Sequence, residues 1–112
     1  MSQFNQLPEF EKELSKLSKK YRSLPEDLKK LERLIAFNPV GLGTNFVTIH
    51  DLGEVKIVKT RLACKSLRAR SIRIIYAYHQ NIFTFMHIEI YFKGDKENED
   101  RGRIADYIKN IS

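Results

Sequence analysis

At 112 residues and 42% hydrophobic, the chain is the size of one ordinary domain, with enough apolar material for a single core and not for two. Its lone cysteine, Cys64, excludes an internal disulfide, and no apolar run approaches the roughly 18–20 residues that cross a bilayer. The net charge is +6, and all of that excess falls in one window: between Glu54 and Glu89 there are seven basic residues and no acidic one, whereas the other 78 residues hold 13 basic and 14 acidic side chains.

A diffuse lysine excess would indicate solubility alone, but a block of one sign within a β-rich segment points to a surface for an anion, and a nucleic acid is the anion expected. Met1 to Glu9 lacks the basic start and apolar stretch of a signal peptide. A cytoplasmic, reducing setting is therefore expected, with no membrane association. Neither a repeat nor a low-complexity tract interrupts the chain, so a single domain over 1–112 is predicted.

From Phe10 to Tyr21, the residues Phe10, Leu14, Leu17 and Tyr21 recur at helical spacing between lysines and glutamates. Ser23 and Glu26, three apart with Pro25 in the first turn, predict a capping box that opens a second helix through Leu28, Leu31, Leu34 and Ile35. Asn38-Pro39 ends it, because the residue before proline is pushed out of the helical region. Two helices with so short a link form an antiparallel hairpin.

Val40 to Gly53 holds three of the five glycines and reads as a connection, with a short extended piece at Phe46 to Ile49. The period then changes to two. Val55 to Leu62, Ile72 to Tyr78 and Ile82 to Phe92 are rich in β-branched and aromatic residues and predict strands, the last two joined as a hairpin through His79-Gln80-Asn81. Strict alternation puts His87, Glu89 and Tyr91 on one face of the last strand. After the polar, acidic run Gly94 to Asp100, the residues Ile104, Tyr107, Ile108 and Ile111 predict a final helix, with Tyr107 in its core stripe and Lys109 in its last turn. The fold class expected is α+β: an N-terminal helical hairpin packed on a small antiparallel β-sheet, with a C-terminal helix on the same side.

Lys59 and Arg61 project from one strand face, two positions apart, and Arg73 joins them from the neighbouring strand. Arginine offers a planar fork of donors and lysine a compact charge, so the trio suits a phosphate. An ordinary solvated sheet face is the competing reading, but such a face usually mixes signs. Lys56, Lys65, Arg68 and Arg70 are expected to contact RNA through its backbone, or alternatively to dock an acidic partner protein. His50, His79 and His87 show no zinc spacing, and phosphate-binding glycine loops and Ser-His-Asp chemistry are missing, so neither a cofactor nor a metal is expected.

Several segments, in order, resemble the RelE/ParE superfamily of bacterial toxins from type II toxin–antitoxin modules. They are Leu7-Pro8-Glu9-Phe10-Glu11-Lys12, Lys19-Lys20-Tyr21-Arg22-Ser23-Leu24, Lys59-Thr60-Arg61-Leu62, Arg73-Ile74-Ile75-Tyr76 and Ile90-Tyr91-Phe92-Lys93. The resemblance runs from about Leu7 to the C-terminus. It implies a toxin that, in the RelE branch, cuts messenger RNA in the ribosomal decoding site without a metal, by attack of the ribose 2′-hydroxyl on the adjacent phosphorus. In the ParE branch it implies a poison of DNA gyrase. A third reading is a non-catalytic RNA-binding or partner-binding domain of the same fold.

The resemblance also implies a cognate antitoxin, the two assembling as an oligomer, and a site of Lys59, Arg61, Arg73 and Lys93, to which Tyr91 of this chain's last strand is added as a candidate. In it the arginines hold phosphate oxygens, and Lys59 is a base if the charges of Arg61 and Arg73 lower its pKa. Two departures stand out. Arg70-Ser71-Ile72 replaces a glycine pair found in many relatives, and Asp95 to Arg103 lacks a tyrosine that some place there. Tyr91, His87 and Glu89 are the substitutes for the missing acid–base group.

Overall fold

The computed structural model describes residues 2–67 and 72–111. Five strands and three α-helices follow one another as β1 (Gln3–Gln6), α1 (Pro8–Lys20), α2 (Leu24–Phe37), β2 (Phe46–Asp51), β3 (Val55–Leu62), β4 (Ile72–His79), β5 (Thr84–Phe92) and α3 (Arg101–Ile111). The class is α+β, as the change of period from helical to two requires.

The two N-terminal helices turn their apolar stripes to one cluster. Phe10 of α1 and Leu24, Leu28, Leu31 and Ile35 of α2 are buried against Val58, Leu62, Ile74, Tyr76 and Phe85 of the sheet. Each of these aliphatic and aromatic side chains contributes about 1.5–3 kcal/mol when fully buried, so this layer holds most of the apolar stabilisation. Ser23, predicted to cap α2, makes no capping bond and is itself near-helical. Its hydroxyl donates to Asp27 Oδ2 at 2.7 Å instead. Asp27 Oδ2 also accepts from the Lys65 backbone N–H at 3.1 Å, which ties the link between α1 and α2 to the segment after β3.

The sheet departs from expectation in composition and in covering. Its order is β1-β5-β4-β3-β2. β1 pairs parallel to β5, while the other neighbours are antiparallel, so the sheet is mixed. Nor do the helices share one side. Ile104 of α3 packs with Ile57, Ile75, Ala77 and Ile88, a set that alternates with the residues facing α1 and α2, so α3 covers the opposite face.

A bulge in β5 re-aims its side chains. Ile75 lies opposite Glu89 but Tyr76 lies opposite His87, so Ile88 is an extra residue in the ladder. On one side of it, Phe85 faces α1 and α2, and His87 stacks on Phe10 at 5.0 Å. Beyond it, Ile90 returns to that core while Glu89 and Tyr91, opposite Ile75 and Arg73, take the face of α3. His87 therefore does not share a face with Glu89 and Tyr91. The link from β4 to β5 is a 3₁₀ turn over Gln80–Ile82, followed by Phe83 in the left-handed region. α3 is preceded by Asp100, whose Oδ1 accepts from the Arg103 N–H at 3.0 Å, so the last residue of the acidic run caps the helix from outside.

Candidate functional site

Beside α3, on the same sheet face, the strands leave a cavity of about 300 Å³. Its wall includes Lys59 and Arg61 of β3, Arg73 of β4, Lys93 just past β5, and Glu99 from the segment that leads into α3. Arg61 lies directly opposite Arg73, and Arg73 directly opposite Tyr91, so these three form one row across β3, β4 and β5. Like charges facing each other across strands are destabilising. A sheet that keeps such a pair, with Arg73 only 7% exposed, has a local rule broken where function is expected.

The electrostatics follow from this crowding. Burial, with Arg61 adding to it, lowers the pKa of Arg73 from an already very high value, so it stays a cation with incomplete hydration. Burial also opposes the charge on Lys59. A 2.8 Å hydrogen bond from Lys59 Nζ to Glu99 Oε1, helped by Tyr91, more than offsets that, and the lysine pKa is raised. The lowering of Lys59 expected from its arginine neighbours is not what the site produces, because the carboxylate in hydrogen-bond contact sets the direction of the shift. The same hydrogen bond holds the Glu99 carboxyl below its usual range.

Tyr91 is buried, and among the described residues none meets good hydrogen-bond geometry with its hydroxyl, although Lys59 is close enough for the two groups to interact. Burial pushes its pKa up, while the charge of nearby Lys59 acts in the opposite direction. The group is a protonated phenol beside a cation cluster. Lys96 lies over its ring, 5.2 Å from the centroid, and also ion-pairs with Glu89.

The other candidates lie elsewhere. Glu89 is fully buried, and its Oε1 accepts from the Asp100 N–H at 2.7 Å, a bond that anchors the start of α3. His87 is enclosed on the far face, with Nε2 2.9 Å from Glu32 Oε2. Neither substitutes for an acid–base group at the cavity. Lys56 points from the other side of β3 and binds Asp51 Oδ1 at 2.9 Å. Lys65 is not part of the cavity wall and sits beside Lys30 of α2, whose pKa it lowers. Arg68 and Arg70 lie outside the described residues.

A neighbouring cavity of about 510 Å³ shares Ile49 and Glu99 with the first; Ile104, Ala105 and Ile108 make its wall more apolar, and His50, Arg101 and Lys109 also line it. Among the described residues, no group of three or more His, Cys, Asp or Glu is placed to hold a metal ion. No helix among them is long and apolar enough to cross a membrane.

No family model and no curated protein matches the chain. Among solved structures it is similar to a chain of the crystal structure of the archaeal RelE–RelB complex from Pyrococcus horikoshii OT3. The TM-score is 0.65 at 14% identity, covering 85% of this chain and 98% of that one. The fold is RelE-like.

Within this RelE-like fold, four of the five residues expected at the site, Lys59, Arg61, Arg73 and Lys93, line one cavity, and Tyr91 continues the row of Arg61 and Arg73. Glu99 is the member that sequence reasoning missed. Its signal was present as an acidic residue just before a helix, in the run that follows the acid-free window.

Proposed function

We propose that this chain is the toxin of a type II toxin–antitoxin pair, a cytoplasmic, ribosome-dependent mRNA endonuclease. The observation that carries the proposal is the row Arg61, Arg73 and Tyr91, flanked at the cavity by Lys59 and Lys93. Such a site gathers cations for a phosphate and keeps one buried phenol beside Lys59 among them.

In the reaction proposed, the ribose 2′-hydroxyl attacks the adjacent phosphorus and its proton passes to water. The P–O5′ bond breaks, and the leaving 5′-oxygen takes the proton of Tyr91, which leaves a 2′,3′-cyclic phosphate and a 5′-hydroxyl end. Tyr91 then regains a proton from solvent. Arg61 and Arg73 hold the non-bridging oxygens, and Lys59 and Lys93 stabilise the added negative charge of the transition state. Lys59, with its raised pKa, works as a cation and not as a base. Lys56 and Lys65, which lie outside the cavity wall, would add to the steering of the polyanion, and the charges of Arg68 and Arg70 are proposed to contribute to the same attraction. The partner antitoxin would set acidic and apolar residues against this basic face, the two proteins forming a joint oligomer. The two N-terminal helices are taken as the antiparallel hairpin of such toxins.

Inducing the chain alone tests this. Growth and translation should stop, messages should acquire new 5′ ends within codons, and Arg73→Ala should restore growth. Arrest with intact messages, DNA damage and filamentation would instead identify a gyrase poison, and unimpaired growth with abundant soluble protein a non-catalytic binding domain.

A further inference from the structure

We propose that Glu99 is a built-in stand-in for the substrate phosphate: it occupies Lys59 in the free protein, and RNA must displace it to engage the site. The inference rests on the phosphate-holding reading of the cavity, whether or not cleavage follows.

The geometry is that of a pseudo-substrate. Glu99 Oε1 accepts from Lys59 Nζ at 2.8 Å, and Glu99 lines the same cavity as Arg61, Arg73 and Lys93. Its side chain is 12% exposed and that of Lys59 27%, so the pair is sheltered from solvent screening that would make a surface ion pair negligible. Apart from Glu99, the side chains that carry charge in this wall are cations, so this carboxylate places negative charge where a phosphate oxygen would go.

The segment that carries Glu99 is held in place by its neighbours on both sides, independently of Glu99 itself. The next residue, Asp100, is anchored by its N–H to Glu89 and caps α3. Before it lies the polar stretch from Gly94 on, of which Lys96 is tied to Glu89. A change at Glu99 alone can therefore release Lys59 while α3 keeps its seat.

The consequence is selectivity. A lone phosphate or a loosely held RNA must compete with a tethered carboxylate, whose effective concentration is high. An RNA whose phosphates already meet Arg61, Arg73 and Lys93 can take Lys59 as well. Glu99 is thus a positioning residue that raises the threshold for binding, and it acts through Lys59.

The test is equilibrium binding of a short single-stranded RNA bearing a 2′-O-methyl block, so that cleavage plays no part, to the folded wild-type protein and to Glu99→Gln. Removing one opposing charge and freeing Lys59, with only a long 4.0 Å contact to the exposed Arg101 lost besides, should tighten binding about five- to tenfold. Glu99→Gln should also steepen the dependence of affinity on salt, by about one counterion. Lys59→Gln should weaken binding, and in the Lys59→Gln/Glu99→Gln double variant most of the gain from Glu99→Gln should vanish, since that gain passes through Lys59. Unchanged or weaker binding by Glu99→Gln would overturn the proposal, as would an equal gain in the double variant. Wild-type protein that binds RNA and does not cleave it on ribosomes would refute the nuclease and leave this competition standing.

Discussion

Arg103 is where α3, α1 and the β5 bulge are fastened together, and its removal should be costly. Its Nη1 and Nη2 donate to Glu13 Oε1 and Oε2 of α1 at 2.8 and 2.9 Å, and Nη1 also donates to the Ile88 carbonyl at 2.8 Å. Ile88 is the extra residue of the bulge and is fully buried, so water cannot readily replace this donor. Arg103→Ala loses a bond to a buried carbonyl, worth about 1–2 kcal/mol, and a bidentate pair. That pair is worth about 1–1.5 kcal/mol, since Glu13 is 27% exposed and rehydrates in part. The expected loss is about 3 kcal/mol, or roughly 10–15 °C in melting temperature for a domain of this size. Urea unfolding followed by circular dichroism measures it, with Arg103→Lys expected to recover less than half because one ammonium cannot reproduce the fork. A loss under about 1 kcal/mol for Arg103→Ala would refute this account of how α3 is held.

Three further outcomes are expected. Tyr91→Phe removes a buried hydroxyl that lacks a well-aligned hydrogen-bond partner among the described residues, so thermal stability should hold or rise by about 1 kcal/mol while RNA cleavage falls by roughly 10²-fold; a matching loss of stability would mean that the hydroxyl is structural. Gly41 has φ +74° and an added Cβ would lie 2.1 Å from the Phe46 ring, so Gly41→Ala should cost about 1–3 kcal/mol by denaturant titration. The pair Lys59–Glu99 should give stability a pH dependence at both ends. The depressed Glu99 pKa adds stability present above the unfolded carboxylate range and lost as pH falls through the folded value. The raised Lys59 pKa adds stability present below the unfolded lysine value and lost as pH rises through the folded one. Urea midpoints against pH should show a shallower acid limb in Glu99→Gln than in the wild type, and superimposable curves would exclude the coupling.

The helices were legible because Phe10, Leu14 and Leu17, and Leu28, Leu31 and Ile35, repeat at a period that only a helix turns to one side. The basic trio was legible for the corresponding reason: positions 59 and 61 share a face at period two, and the pairing of β3 with β4 brings Arg73 opposite Arg61. What escaped depended on non-local events. β1 is four residues with one apolar side chain, Phe4, and becomes a strand only because β5 offers it a parallel edge. The single-residue bulge at Ile88 leaves no mark in composition, yet it moves His87 away from Glu89 and Tyr91. The side on which α3 packs is set by the chain path after Lys93, and Glu99 reaches Lys59 only because of that path.

The role proposed for the row Arg61, Arg73 and Tyr91, with Lys59 and Lys93, is to cut RNA presented by the ribosome. Single-turnover cleavage of a defined message on programmed ribosomes, with purified protein and chelator present, tests it most directly. Scission is expected in the decoding-site codon with a 2′,3′-cyclic phosphate end, and it should be lost in Arg73→Ala protein that is still folded. An intact message with the wild-type protein, or cleavage undiminished in Arg73→Ala, would contradict it.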